Sequence, residues 1–293
     1  MIMVTGATGT VGRLVVARMP TSTAVRALVR RPDRLITLRP DVEVVQGDYA
    51  DDDSLLRALQ GVRRALLITG AVGGGEDERF LRAARRAGTE HVVKLSAAAV
   101  LDRSADDAVT RWQRDTEQLL RSSDLAWTLL RPRSFMSNTL AWAPGIRSEG
   151  VVRGLYGTSA NACVDPRDIA DVAVRALTES GHDGRAYTLT GPGPVTAVEQ
   201  TRELGRAIGR RLEFVELTPD QTRAALLRRH SEPVVEALLA SARRQKCGAK
   251  AGTDPMLAKL LGRAATPFTT WAVDHAPLFA NGSEGTTKPR ARP

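Results

Sequence analysis

Three glycines stand at three-residue spacing near the start of this 293-residue chain: Gly6, Gly9 and Gly12 in "TGATGTVG". They lie between the apolar run "MIMVT" and "GTVGRLVVARM", whose Val11, Leu14, Val15 and Met19 share one helical face. Glycine at such a strand-to-helix turn lets a pyrophosphate approach the backbone and accept its N–H groups where the helix begins. With Thr5, Ala7, Thr8, Thr10 and Val11 completing the loop, the pattern suits a dinucleotide. The next strand ends in "ALVRRPDR". For NAD this strand usually ends in an acid, about 20 residues past the glycines, that holds the ribose 2′-hydroxyl. Here Arg30 and Arg31 occupy that place, and guanidinium groups suit a 2′-phosphate, so NADP(H) is the expected cofactor. Asp33, set off by Pro32, reads as a helix cap. In a sheet of this kind Asp48 and Tyr49 after the third strand fall near adenine, and Thr69 and Gly70 after the fourth flank a ribose. Ser96 ends the fifth strand and Pro132 the sixth, beside the expected nicotinamide.

The elements that must position these residues alternate regularly. Strands "MIMVT", "TAVRALV", "VEVVQG", "RRALLITG", "EHVVKLS" and "AWTLLRP" are separated by helical stretches such as "DDDSLLRALQG" and "DAVTRWQRDTEQLLRSS". Parallel strands joined by right-handed crossovers follow, hence an α/β, Rossmann-type doubly wound sheet. The alternation breaks after Pro132. Residues 133–164 are loop-rich, with Pro144, Gly145, Gly150, Gly154 and Gly157, before "DPRDIADVAVRALTES" and "AYTLTG" resume it. Beyond Gly191 helices dominate around one further strand, "LEFVEL". The expected organisation is a nucleotide-binding domain of residues 1–132 and 165–191. A small, mainly helical lobe of residues 133–164 and 192–280 covers the carboxyl edge of the sheet. The polar tail 281–293 is expected to be disordered.

Composition excludes several classes. The formal charge of +9 invites a nucleic-acid reading, but only five of the 42 basic residues are lysine and arginine pairs are scattered along the chain. A solvated basic surface, with no direct nucleic-acid binding, is the expectation. Two cysteines, Cys163 and Cys247, make no disulfide framework and no metal spacing, and no apolar run is long enough to span a membrane. A cytoplasmic protein without a metal fits these features. His91, His182, His230 and His275 share no metal spacing, and Asp51, Asp52 and Asp53 read as a helix N-terminus.

The stretches "TGATGTVG", "VRALVRRP", "GDYADDDSL", "LAWTLLRPRSFMSN", "DPRDIADVA" and "AYTLTGPGPVT" resemble the NmrA-like group of atypical short-chain dehydrogenases/reductases. The similarity covers roughly residues 1–280 and is most marked to the bacterial NADPH:quinone oxidoreductase type. It implies NADP(H) binding on a Rossmann domain with a small lobe. The group includes reductases and a redox-sensing regulator, so it speaks for the cofactor more than for the chemistry. Ordinary short-chain dehydrogenases carry Tyr-x-x-x-Lys on the helix after the fifth strand. This chain has no tyrosine there; Thr110 and Arg114 take the two places. Threonine is a far poorer acid than phenol, whereas hydride attack on a quinone gives a stabilised anion that water protonates. The catalytic candidates are thus Ser96, Thr110 and Arg114, and the pocket candidates Phe135, Met136 and Asn138; Phe135 and Met136 read equally well as core. An NADPH-dependent reductase of a quinone or electron-poor aromatic ketone is expected. A catalytically silent NADP(H) sensor with a protein partner and a tailoring enzyme of secondary metabolism remain as alternatives.

Overall fold

All three residues of β1 (Ile2–Val4) are buried, on alternating faces: Ile2 and Val4 join one hydrophobic cluster and Met3 a second on the opposite face of the sheet. Such two-sided burial is what a parallel sheet between helical layers requires. In the computed structural model, which describes residues 1–30, 39–70 and 72–280, β1 is an interior strand. Its companions are β2 (Val25–Val29), β3 (Glu43–Gln46), β4 (Arg64–Leu67), β5 (His91–Leu95), β6 (Ala126–Pro132) and β8 (Arg185–Leu189). They form a seven-stranded sheet in the order β3-β2-β1-β4-β5-β6-β8, every pair parallel. The order reverses between β1 and β4, the switch point where the carboxyl ends of a doubly wound sheet open a crevice.

One face is covered by α1 (Gly12–Arg18), α6 (Pro166–Thr178) and α10 (Met256–Leu261), whose Val15, Val16, Ile169, Ala173, Leu257 and Leu261 share a cluster with β1. The other is covered by α2 (Asp52–Leu59), α3 (Glu76–Arg86) and α4 (Ala108–Arg121) through Leu55, Leu59, Phe80, Leu81 and Leu120. Caps set the helix starts: the Asp51 carboxylate accepts from the N–H groups of Asp53 and Ser54 at 3.0 Å, and Asp165 opens α6 by accepting from Arg167 N at 2.8 Å. Asp168 accepts from Thr266 N at 2.7 Å and from Arg263, tying the last segment of the chain to α6.

Residues 133–164, expected to be loop-rich, instead contain α5 (Ala143–Glu149) and β7 (Val151–Gly154). β7 pairs in parallel with β9 (Glu213–Glu216), the strand expected in "LEFVEL". The glycines that read as loop serve this packing: an added Cβ on Gly157 would lie 2.2 Å from the Phe214 ring. With α7 (Ala197–Ala207) and α11 (Phe268–Asp274), these elements enclose a third cluster centred on Ile146, Leu204, Trp271 and Phe279. The remaining helices, α8 (Pro219–Leu227) and α9 (Glu232–Lys246), pack on each other, and α9 also lies on α4. The tail 281–293 and Arg31 lie outside the described residues.

Candidate active site

The β1–α1 loop is shaped by contacts that only glycine permits. Gly6 has φ +59°, and an added Cβ there would lie 3.0 Å from Ile68 Cβ; one on Gly12 would lie 2.2 Å from the Gly6 carbonyl oxygen. Thr5 pins this turn to β4, accepting from Ile68 N at 2.7 Å and donating to Ile68 O at 3.1 Å. Thr8, Gly9 and Thr10 are exposed, and the N–H groups of Thr8 and Thr10 find no acceptor among the described residues. A backbone packed this closely, with unengaged N–H donors on exposed residues, fits a pyrophosphate. Ala7 and Val11 are buried beneath it.

Arg30 is exposed immediately after β2, at the position where a 2′-phosphate would be read. Asp48 is exposed and closes its own turn by accepting from Ala50 N at 2.9 Å. Tyr49 is buried against Phe80, and burial raises its phenol above the ordinary value; its carbonyl receives Arg79 Nε at 2.6 Å. The Thr69 hydroxyl, expected beside a ribose, is already engaged: it donates to Asp77 Oδ1 at 2.6 Å and accepts from Lys94 Nζ at 3.1 Å. Gly70, next to it, is exposed.

Ser96, just past β5, donates to Glu117 Oε1 at 2.6 Å, and Glu117 is clamped in turn by both prongs of the Arg131 guanidinium. The serine is therefore oriented by a buried ion pair and presents lone pairs to the crevice, not a free proton. Thr110 is likewise committed, its hydroxyl donating to Asp107 Oδ2 at 2.8 Å. Arg114 does not take the role of the missing lysine. Its guanidinium donates to the carbonyls of Val100, Asp102 and Ala105 at 3.2, 2.6 and 2.6 Å, bracing the β5–α4 loop. Neither residue of the Thr110/Arg114 pair is free to act as a general acid.

Ser96, Thr110, Pro132, Phe135 and Asn138 line one cavity of about 320 Å³ between the carboxyl ends of β5 and β6, the start of α4, and α9. Met136 is elsewhere: it is 1% exposed and packs with Ile146 and Cys163 in the third cluster, so it belongs to the core. The cavity also holds residues that sequence reasoning missed, namely Ser134, Ser241 and the cations Arg133, Arg244 and Lys250. Among the described residues no three His, Cys, Asp or Glu side chains converge as a metal site would need, and no helix is long and apolar enough to cross a membrane.

A family model described as NAD(P)H-binding matches residues 6–180. The chain is 54% identical to the (4-alkanoyl-5-oxo-2,5-dihydrofuran-3-yl)methyl phosphate reductase of Streptomyces griseus over 280 residues, covering 96% of this chain and 99% of that one. It is 32% identical to quinone oxidoreductase 2 of Escherichia coli over 295 residues, covering 95% and 99% of the two chains. The structure of an NADPH-dependent quinone oxidoreductase from E. coli complexed with NADPH superposes with a TM-score of 0.81 at 28% identity, covering 94% of this chain and 99% of that one.

Proposed function

Because this chain belongs to the NAD(P)H-binding family, as an NmrA-like atypical short-chain dehydrogenase/reductase, we propose that it is an NADPH-dependent reductase of a phosphorylated alkanoyl dihydrofuranone. The observation that carries the substrate is the 54% identity, nearly end to end, to the reductase of such a compound. The quinone expected from the sequence shares the electronic feature that matters, and gives way to the nearer relative.

The cofactor would be held by the β1–α1 loop, Arg30 and the carboxyl ends of β4 and β5, and when bound it supplies a hydride. In the proposed substrate the ring double bond is flanked by a lactone and a ketone. A new C–H bond forms at the ring carbon bearing the phosphooxymethyl group, and the π electrons move to the neighbouring carbon and into both carbonyl oxygens. That anion, like a hydroquinone anion, is stabilised by the substrate itself, and a proton from water completes the reduction. The chain's contribution is proximity and orientation rather than strong acid catalysis. This agrees with Ser96 and Thr110 donating inward to Glu117 and Asp107. Ser134 and Ser241, which line the cavity and make no side-chain hydrogen bond among the described residues, would be the hydroxyls available to donate to the carbonyl oxygens.

Two results are expected. Following NADPH absorbance, the purified protein reduces the alkanoyl dihydrofuranone methyl phosphate with kcat/KM at least about tenfold above that for menadione or a simple benzoquinone. The assignment fails if quinones are the better substrates. Separately, Arg30→Ala raises Kd for NADPH by about tenfold or more while changing NADH little, because a charge-assisted contact to the 2′-phosphate is lost. Equal weakening of both nucleotides would show that this end of β2 does not read the phosphate.

A further inference from the structure

Two cations in the cavity wall have no anion among the described residues. Arg133 follows β6 and is fixed by its backbone N–H, which donates to Leu189 O at 2.9 Å. Its side chain is half-buried, and Nε is enclosed without an acceptor among the described residues. Lys250 lies in the turn after α9, where its carbonyl accepts from Ala162 N at 2.9 Å. Its ammonium forms no ion pair and no hydrogen bond among the described residues, although it lines the same cavity.

The other charges here are already matched. Arg244, on α9, donates to Asp107 Oδ2 at 2.8 Å and lies 3.4 Å from Asp102. Asp107 also accepts from the backbone and hydroxyl of Thr110, and Asp102 from those of Ser104. Three cations therefore face two carboxylates that are both engaged. Burial pushes the Lys250 ammonium down to about 8, with Arg244 and Arg133 acting in the same direction and Asp107 opposing. Burial likewise lowers Arg133, with Asp102 the one nearby charge that opposes it. Unpaired cations withdrawn from water are costly, and a protein that holds two half-buried ones on one wall is prepared for a ligand of opposite charge.

The cofactor's own phosphates have their places elsewhere. The glycine cradle is at β1 and Arg30 at β2, whereas Arg133 emerges from β6, and β4 and β5 lie between β1 and β6 in the sheet. A phosphomonoester carries up to two negative charges on three oxygens, enough to meet a guanidinium fork and an ammonium at once.

We propose that Arg133 and Lys250 form the subsite for a phosphomonoester on the substrate, anchoring it at the end of the cavity remote from the cofactor's phosphates. The identity of the rest of the substrate rests on the function proposed above; the subsite itself rests on the two unpartnered cations. Binding a dianion there restores the Lys250 ammonium, so near pH 8 the complex takes up protons that the free protein lacks.

The test uses the full chain saturated with NADP+, titrated calorimetrically with phenyl phosphate, phenol and benzoate near pH 8 in two buffers of different ionisation heat. Phenyl phosphate is expected to bind in preference to the other two, with net proton uptake. Arg133→Gln and Lys250→Gln each weaken it by about tenfold or more, while Lys250→Arg retains most of the affinity. Arg103→Gln, at an exposed arginine in the neighbouring loop, leaves it unchanged. Thermal unfolding of each variant verifies that it is folded.

Equal binding of phenol, equal weakening by Arg103→Gln, or weakening of NADPH instead of phenyl phosphate would each overturn the subsite. A second arm compares kcat/KM for the alkanoyl dihydrofuranone methyl phosphate with that for its free alcohol. The ratio is expected to fall at least about tenfold in the Arg133 and Lys250 variants. If neither compound is reduced while phenyl phosphate binding still depends on both residues, the acceptor assigned above is wrong and the subsite stands. If the phosphate is reduced with a preference that ignores both residues, the reductase stands and the subsite falls.

Discussion

Gly12→Ala is expected to raise the NADPH Kd by at least about tenfold and to lower stability by about 1–3 kcal/mol, the usual cost of forcing a methyl group into a closed contact. The added Cβ would lie 2.2 Å from the Gly6 carbonyl oxygen, 2.7 Å from its carbon and 3.0 Å from Ala7 Cα. All three are backbone atoms, so no side chain can swing aside. Nor can Gly6 retreat freely, because it is held at φ +59° with Ile68 close behind it and Thr5 bonded across to β4. Relief has to come from moving the loop that carries the unengaged N–H groups of Thr8 and Thr10. Fluorescence titration with NADPH and thermal unfolding read the two effects separately. Gly193→Ala, where an added Cβ meets nothing within 4 Å, serves as the neutral comparison. Unchanged NADPH affinity in Gly12→Ala would mean that the close packing of this loop is not what binds the dinucleotide.

The close-packed turn was legible in the sequence because its demand is local. Gly6 to Gly12 and Arg30 lie on consecutive elements, and the demand for glycine is written at the residue that meets it. The sheet was legible for a similar reason, since strands buried on both faces read as short apolar runs. β7 was not legible: "VVRG" between Gly150 and Gly157 becomes a strand only through β9, far along the chain, and its flanking glycines imitate a loop. The Arg114 expectation failed because spacing on α4 fixes which face a residue occupies but not what the preceding loop offers it. Three carbonyls of that loop claimed its guanidinium. Met136 and Phe135 are adjacent and were indistinguishable by type; the turn after β6 sends one into the third cluster and the other to the cavity. Arg133 and Lys250 lie on distant segments that only the tertiary fold juxtaposes, and a lone basic residue in a chain of charge +9 announces nothing.

Lys94 raises the same issue of buried charge in a place where the partners are present, and it yields the largest stability effect expected here. It is fully buried on β5, its ammonium 3.3 Å from Asp77 Oδ1, 3.1 Å from Thr69 Oγ1 and 5.2 Å from the centre of the Trp112 ring. Asp77, at the start of α3, also receives Trp112 Nε1 at 2.7 Å and the Thr116 hydroxyl at 3.1 Å. One carboxylate thus joins β4, β5, α3 and α4 directly beneath the crevice. Asp77→Ala is expected to destabilise the fold by about 3–5 kcal/mol, the cost of leaving a buried charge uncompensated, with the indole N–H also unpaired. Burial already holds Lys94 below its ordinary value of 10.5, and Asp77 is the main opposing influence. Without Asp77 the lysine falls further, so the folded variant binds fewer protons than its unfolded chain over a wider range below pH 10.5. Its stability must therefore rise with pH more steeply than that of the unmodified protein, and the deficit should narrow between neutral pH and pH 10. Replacing both partners, Asp77→Leu with Lys94→Met, removes the charge together with its counter-charge and is expected to recover most of the loss. Urea unfolding of the single and double variants at several pH values measures all three effects. A single variant as stable as the parent at neutral pH, or a deficit that widens as pH rises, would show that the Lys94 charge is not what Asp77 holds in place.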